Sequence, residues 1–325
     1  MQSDRIARRL KPRDLQVFLK VVEDGNMAKA AKHLAISRPA VSKTIADLEH
    51  TLGVRLLDRT SQGVEPTLYG RALLKRSHAV LDELRQSVKE IEFLADPSAG
   101  ELRVGFGEVP AAGIVPAAID QLAQQYPRMK VFTEQGSFDT LLDFLRTRRC
   151  EVVVARLLSR EPDMNFQPIH YDQLLIVVGV RSKWAKRRRV TLADLAEEAW
   201  VQAPPEMEPG SPTLEAFRAA GLPGPRVVVT SGSLNLRYAL LATGRFVTMI
   251  PDPALYYGPE RTPVRVLPIK LPRWHVPTSV ITLANRTLSP LAQLFIDRVH
   301  ELAKPLTRST AARTRRAGGS IGPNR

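Results

Sequence analysis

The chain has 325 residues, 44% of them hydrophobic, which allows two or more packed domains. Its formal net charge of +14 favours an acidic partner such as nucleic acid, although a basic surface also serves solubility. The sequence contains no run of about 18 apolar residues and no apolar segment behind its basic N-terminus. We therefore expect a cytoplasmic protein with neither a membrane helix nor a signal peptide.

Three short helices are predicted first. Apolar residues at the spacing of one helical face indicate a helix over Asp14–Glu23. An alanine-rich helix follows at Ala28–Leu34, and the next three residues interrupt it. A third helix runs from about Pro39 to Leu52, with Ser37 placed to cap it. Its outward face is small, polar and basic: Arg38, Ser42, Lys43, Ala46, Asp47 and His50.

A two-stranded ribbon, or wing, is predicted at 54–60 and 63–67, followed by a long helix over Leu68–Ala95. Apolar residues recur along this helix about every third or fourth position: Leu74, Leu81, Leu84, Val88, Ile91 and Ala95. Such a seam pairs with a partner helix. The alternative is an amphipathic helix that lies on its own domain.

Strands and helices alternate after a linker at 96–100, which implies a mainly parallel sheet. Strands are predicted at 102–106, 130–133, 152–154, 174–178, 200–202, 226–230, 246–250 and 279–284. Helices are predicted at 114–126, 139–148, 234–243 and 291–302. The basic tail after Lys304 is expected to be disordered, either loosely attracted to DNA or merely solvated.

Cys150 is the single cysteine, which excludes an internal disulfide and a cysteine-rich zinc site and favours a reducing compartment. A thiol beside Arg149 could be activated. Cys150 also opens the apolar run Val152–Val154, and packing at the start of a strand fits this run better.

Two helices joined by a short turn, the second with an exposed polar face, form a helix-turn-helix pattern. Residues 27–49 read MAKAAKHLAISRPAVSKTIADLE, and residues 52–59 read LGVRLLDR. The paired alanines, the serine-x-proline-alanine step, the serine one turn on, the Leu-Glu and Leu-Gly pairs and the arginine-ended wing closely resemble the DNA-binding domain of LysR-type transcription regulators. The resemblance covers about residues 10–303.

This resemblance implies an α/β fold with an N-terminal winged helix-turn-helix and two α/β subdomains like a type 2 periplasmic binding protein. The expected division is a DNA-binding domain at 10–67, a linker and dimerisation helix at 68–96, an effector-binding domain at 101–303 and a disordered tail at 304–325. The first subdomain takes about 101–168 and 268–303, and the second about 169–267. Expected partners are double-stranded DNA, a small-molecule effector, further copies in a homodimer or homotetramer, and RNA polymerase.

The third helix fits the major groove, and its first residues lie closest to base edges. LysR-type regulators often have glutamine at the position of Arg38. An arginine there either makes a bidentate contact with guanine or binds phosphate. For the lysines, an ordinary solvated charge is the alternative. The predicted DNA-binding residues are Ser37, Arg38, Pro39, Ser42, Lys43, Arg55, Arg59, Lys29 and Lys32.

The resemblance places the effector between the two subdomains, where loops follow strand ends. Ser137 and Ser233 either cap helices or help to bind an anion. LysR-type regulators often carry serine or threonine near the position of Glu108. The carboxylate of Glu108 would discourage an anionic effector and favour a sugar, polyol or amino compound. The alternative is that Glu108 is simply an exposed loop residue. The predicted effector-binding residues are Gly107, Glu108, Val109, Gly136, Ser137, Gln202, Ala203, Ser231, Gly232 and Ser233.

The runs 145–152 and 154–156 resemble the branch of the family that includes regulators of galactose-binding protein and of aromatic catabolism. Aromatic acids therefore join the expected effectors. An enzyme is the first alternative, but the chain has no His-Glu-x-x-His, Gly-x-Ser-x-Gly or P-loop motif and only scattered histidines, so we expect no catalysis, cofactor or metal. A free-standing solute-binding protein would carry an export signal and no helix-turn-helix.

Overall fold

The computed structural model describes residues 2–60, 63–256, 264–272 and 277–318, without the side chains of 2–3, 59–60, 256 and 306–318. The chain forms two compact units, residues 1–91 and 92–325. None of the helices in the described part of the chain has the length and apolar character that a bilayer crossing requires.

The first unit is a small helical domain with a wing. Phe18, Val41, Ile45 and Leu56 are buried together in its core. Its elements are α1 (Gln2–Ala7), α2 (Pro12–Asp24), α3 (Met27–His33), α4 (Arg38–Leu52), β1 (Leu57–Thr60), β2 (Gly63–Pro66) and α5 (Leu68–Ala95). The predicted elements are confirmed to within a few residues, and α1 is an addition.

Local side-chain caps set where α3 and α4 begin. The Asn26 side-chain oxygen accepts the N–H groups of Ala28 at 2.8 Å and Lys29 at 3.2 Å. The Ser37 hydroxyl accepts the N–H of Ala40 at 3.3 Å, as predicted. Between these helices Ala35 adopts the left-handed conformation, with φ of 52°, so the turn is tight.

The wing is an antiparallel pair in which Thr60 faces Gly63 and Leu57 faces Pro66. The N–H of Val64 donates to the carbonyl of Gly25 at 2.8 Å, which ties β2 to the end of α2. A Cβ atom on Gly63 would lie 2.5 Å from that same carbonyl oxygen, and its φ is 139°. Close backbone approach therefore requires glycine at this position.

The long helix α5 has two different halves. Leu81 is buried against Leu15 and Leu19 of α2, so the first half lies on its own domain. Further along, the predicted seam is open: Leu84 is 49% exposed, Val88 54% and Ile91 67%. The first half thus fits the alternative of a helix on its own domain, and pairing of the exposed half with a partner helix stays a prediction.

The second unit contains two five-stranded sheets with helices on them. Its strands are β3 (Ala99–Phe106), β4 (Arg128–Gln135), β5 (Val152–Arg156), β6 (Met164–Tyr171), β7 (Leu174–Gly179), β8 (Ala199–Gln202), β9 (Val227–Thr230), β10 (Phe246–Pro251), β11 (Val264–Val266) and β12 (Pro277–Leu283). Its helices are α6 (Glu108–Ala111), α7 (Ile114–Gln125), α8 (Phe138–Arg146), α9 (Leu192–Leu195), α10 (Pro212–Ala219), α11 (Leu234–Ala242), α12 (Asp252–Tyr256) and α13 (Pro290–Gly318), with a 3₁₀ turn at Pro204–Met207.

Both sheets are mixed, which corrects the expectation of mainly parallel pairing. The first has the order β4-β3-β5-β12-β6 and the second β11-β7-β10-β8-β9. In each sheet one strand, β12 or β7, runs antiparallel to both of its neighbours. These two strands are the ones that arrive from the other sheet. The first crossing follows Tyr171, so the expected division at 168/169 falls inside β6.

Helices cover both faces of the sheets. In the first subdomain α7 and α13 pack on one face, around Phe295, and α8 packs on the other, around Leu141. Cys150 is fully buried beside α8, and burial raises the pKa of its thiol to about 12. The thiol is therefore protonated at neutral pH, which confirms its structural role.

The last helix corrects the predicted chain end. It was expected to stop at Leu302, with a disordered tail from 304, but α13 continues to Gly318 with Pro305 inside it. Residues 306–318 contain three alanines and four arginines, and residues of this kind favour helix. Residues 319–325 lie outside the described part of the chain.

Candidate functional site

The helix α4 has one buried and one exposed face. Val41, Ile45 and Leu48 are at most 2% exposed. Arg38 and Lys43 are exposed and Ser42 is half-buried. Arg38 and Ser42 are four residues apart, so their side chains project from the same side of the helix, whereas Lys43 lies further around its exposed surface. Two of the three predicted base-reading residues thus share one side of α4, and all three lie outside its buried stripe.

The other predicted DNA-binding residues lie on α3, at the start of α4 and on the wing. Lys29, Lys32 and Arg55 are exposed. Pro39 occupies the first turn of α4, and the hydroxyl of Ser37 is engaged in the cap. The side chain of Arg59 lies outside the described residues.

Glu49 is a positioning residue that the sequence reasoning gave no role. Its carboxylate accepts the N–H of Leu56 at 2.7 Å and that of Leu57 at 3.2 Å. These two bonds attach the start of the wing to α4. The only sequence signal was the Leu-Glu pair within the family-like run, which gave no function for the glutamate.

Replacement of Glu49 by alanine is expected to destabilise the first unit by about 1–3 kcal/mol, because two backbone N–H groups lose their acceptor. DNA affinity should fall with it, since the wing is no longer held. Urea unfolding and fluorescence anisotropy with duplex DNA measure the two effects. Glu49→Gln keeps an acceptor oxygen and should lose less; equal stability of wild type and both variants would contradict the assignment.

A cavity of about 200 Å³ lies in the second unit, between the two sheets. It is bordered by the loops and helix starts that follow strand ends, as expected for α/β sheets. Of the predicted effector-binding residues, the lining contains Gly107, Glu108, Val109, Gly136, Ala203 and Gly232.

Four predicted residues do not line the cavity. The hydroxyls of Ser137 and Ser233 cap α8 and α11, which is their alternative role. The Ser231 hydroxyl accepts the N–H of Ser233 at 3.1 Å. Gln202 is fully buried. The three serine side chains therefore serve their loops and helix starts.

Most of the lining that the sequence did not indicate is apolar. It contains Pro110, Phe138, Leu141, Ala155, Leu158, Pro204, Pro205, Leu234 and Pro251, together with the charged residues Arg156, Glu206 and Arg237. These residues come from different helices and strands, so no local motif marks them.

Arg237 and Glu206 form a buried ion pair in the cavity wall. Both side chains are 2% exposed, and Arg237 Nη1 lies 3.0 Å from Glu206 Oε1. Arg237 also donates to the carbonyls of Ser231 at 3.0 Å and Met249 at 2.9 Å. Glu206 accepts the N–H of Ala203 at 2.9 Å. The pair therefore fixes the loop after β8 against α11 and β10.

Glu108 joins the wall of one subdomain to the other. Its Oε1 accepts the N–H of Leu234, the first residue of α11, at 2.7 Å. Its Oε2 accepts a hydrogen bond from the side chain of Gln135. Glu108 is half-buried and begins α6, so it is not the exposed loop residue of the alternative interpretation.

The chain crosses between the sheets beside a second polar cluster. His170, Asp172 and Asp252 have side-chain ligand atoms within 4.8 Å of one another, although the histidines seemed scattered in the sequence. Asp172 accepts from Arg156 at 2.8 Å and from Thr278 at 3.1 Å. Because protein donors already bind Asp172, we interpret this cluster as a hydrogen-bond network at the crossing.

Known proteins resemble most of the chain. Residues 12–71 match the family described as "Bacterial regulatory helix-turn-helix protein, lysR family", and residues 95–304 match "LysR substrate binding domain". The regulator GbpR of Azospirillum brasilense is 29% identical over 292 residues, 88% of this chain and 84% of that protein. TfdS of Cupriavidus pinatubonensis is 29% identical over 287 residues, 88% of this chain and 96% of that protein.

Solved structures show the same fold. CbnR, a LysR family transcriptional regulator, matches with a TM-score of 0.59 at 23% identity, over 91% of this chain and 100% of that one. Full-length CbnR in complex with its target DNA matches with a TM-score of 0.52 at 25% identity, with the same coverage. This chain therefore belongs to the LysR family of bacterial transcription regulators, which bind DNA through a helix-turn-helix domain and a small-molecule effector through the second domain.

Proposed function

We propose that this chain reads operator DNA with the outward face of α4 and changes that binding when a small molecule occupies the cavity between its sheets. The observation that carries the proposal is the division of α4 into a buried apolar face and an exposed basic one. A helix held by its domain on one side and exposed on the other can enter the major groove.

In this proposal Arg38, Ser42 and Lys43 contact base edges, since none of them belongs to the buried stripe of α4 and the first two lie one turn apart. Ser37 and Pro39 act by shaping the first turn of the helix. The remaining basic residues, on α3 and the wing, contact phosphates or the minor groove: Lys29, Lys32, Arg55 and Arg59.

The lining of the cavity favours an effector with a compact apolar body. Apolar side chains of proline, leucine, phenylalanine, valine and alanine form most of the wall. A sugar or polyol would leave hydroxyl groups without acceptors against such a surface, which costs free energy. Among the expected effector classes, we therefore favour amino and aromatic compounds over sugars and polyols.

A thermal-shift screen on wild type and Gly232→Val tests this function. A Cβ atom on Gly232 would meet no atom within 4 Å, and the residue lines the cavity, so valine narrows the cavity without straining the fold. A ligand at 100 times its Kd should stabilise wild type by about 2.7 kcal/mol and the variant much less. Gly232→Ala is the milder control. If every stabilising compound acted equally on wild type and Gly232→Val, the cavity would not be the effector site.

We further propose that two copies pair through the exposed half of α5 and that dimers assemble into tetramers. Support comes from the open apolar stripe of Leu84, Val88 and Ile91. Val88→Glu should shift the assembly toward monomer in size-exclusion chromatography with light scattering, whereas Glu90→Lys, also exposed, should not. A wild-type monomer at micromolar concentration would contradict this assembly.

The proposed site of action is the cytoplasm, where the operator lies, and RNA polymerase is the proposed further partner at the promoter. We assign no catalytic step to the chain. Its action follows from binding alone.

A further inference from the structure

The contacts of Glu108 resemble those of a bound ligand. This residue comes directly after β3 of the first sheet, whereas Leu234 begins α11 of the second subdomain. One carboxylate oxygen accepts the Leu234 N–H at 2.7 Å, and the other accepts from Gln135 at the end of β4. A single side chain therefore holds both walls of the cavity.

The N–H groups in the first turn of a helix have no acceptor within the helix and attract negative charge. In α11 the hydroxyl of Ser233 takes the N–H of Leu236 at 3.4 Å. Glu108 takes the N–H of Leu234. The carboxylate of an acidic ligand would have to compete with Glu108 for the N–H of Leu234.

The charge balance of the cavity points the same way. Arg237 is paired with Glu206 at 3.0 Å, and Arg156 with Asp172 at 2.8 Å. Glu108 contacts neutral donors, an amide side chain and a backbone N–H. A cation placed in the cavity would therefore be attracted to Glu108, and a second anion repelled.

We propose that Glu108 is a specificity-determining residue: it fills the anion position of the cavity, excludes acids and selects ligands that carry an amine. This inference rests on the proposed effector function of the cavity. It also means that Glu108 couples ligand binding to the contact between α6 and α11, because both use the same carboxylate.

Two probes of matched shape and opposite charge test the selectivity: cyclohexylmethylammonium and cyclohexanecarboxylate, each titrated calorimetrically into full-length protein. Wild type should prefer the ammonium probe by at least tenfold. Glu108→Gln removes the charge but keeps an acceptor for the Leu234 N–H and should lose that preference; Glu108→Ala also frees this N–H and should bind the carboxylate. Glu101→Gln is the control, a carboxylate on the preceding strand β3 whose side chain is 44% exposed. An unchanged preference in Glu108→Gln, or no carboxylate binding to Glu108→Ala, overturns the inference.

Amide hydrogen exchange of Leu234 tests the contact itself. Wild type should protect this N–H, Glu108→Ala should lose at least tenfold of the protection, and Glu108→Gln should retain part of it through its carbonyl oxygen. Equal exchange in wild type and Glu108→Ala overturns the contact. The effector function of the cavity is tested separately. Compounds that stabilise wild type but not Gly232→Val support that function even if both Glu108 tests fail.

Discussion

Replacing Glu206 by alanine is expected to lower the free energy of unfolding of the second unit by about 3–5 kcal/mol. The substitution leaves the Arg237 guanidinium, 2% exposed, without its carboxylate. The carbonyls of Ser231 and Met249 still accept from this guanidinium but cannot neutralise its charge. The N–H of Ala203 also loses its acceptor. Urea unfolding followed by far-UV circular dichroism measures the change.

An exposed pair provides the matched control. Arg218 and Glu215 lie 3.7 Å apart with side chains 82% and 44% exposed, so Glu215→Ala should cost at most about 1 kcal/mol. The double variant Glu206→Gln, Arg237→Met should be less destabilised than Glu206→Ala, because no unpaired buried charge remains. Similar losses in the free energy of unfolding for Glu206→Ala and Glu215→Ala would show that the buried pair contributes no more to stability than the exposed one.

Arg38→Ala is expected to weaken specific DNA binding by about 1–3 kcal/mol, roughly 5- to 150-fold, if its guanidinium contacts a guanine. Arg38 is exposed at the first position of α4, so its loss should leave stability nearly unchanged. Fluorescence anisotropy with an operator duplex and with an unrelated duplex separates specific from nonspecific affinity.

The same titrations distinguish base contact from phosphate contact. A guanine contact predicts a large loss on the operator and a small one on unrelated DNA, with Arg38→Lys recovering part of the affinity. A phosphate contact predicts equal losses on both duplexes and a salt dependence reduced by about one ion. Arg13→Ala, another exposed arginine of the first unit, is the control for general charge loss.

The first unit could be predicted from the sequence because its signals are local. Ser37 caps α4 within three residues, and the glycine that ends the helix, Gly53, adopts the left-handed conformation that favours this residue. The apolar spacing of α4 identifies its buried face without knowledge of the rest of the fold. Glu49 had no such signal, because its acceptor role depends on where the wing returns.

Two edge strands of the second unit, β6 and β11, escaped prediction for physical reasons. The strand β6 lies at the edge of its sheet and contains Pro168 beside an irregularity in the pairing with β12. Proline is tolerated at edges and bulges, but it breaks the pattern expected of a strand. The strand β11, at an edge of the second sheet, has only three residues, Val264–Val266. Mixed pairing was missed because the crossings between sheets are tertiary features.

Long-range contacts also explain the limits of the site prediction. Strand-end loops could be identified from the alternation of strands and helices, and six of their residues line the cavity. Arg237 lies inside α11 and meets Glu206, 31 residues earlier; Glu108 meets Leu234, 126 residues later. Nothing in the local sequence of these residues indicates such partners.

The central claim is that the exposed face of α4 reads DNA sequence, and selection from a randomised duplex library tests it most directly. Wild-type protein is predicted to enrich one defined motif. Arg38→Ala should lose the preference at one base pair in each half-site while keeping the others, whereas the Arg13→Ala control should select the wild-type motif. Identical motifs from wild type and from a triple variant, Arg38→Ala, Ser42→Ala, Lys43→Ala, would contradict the account.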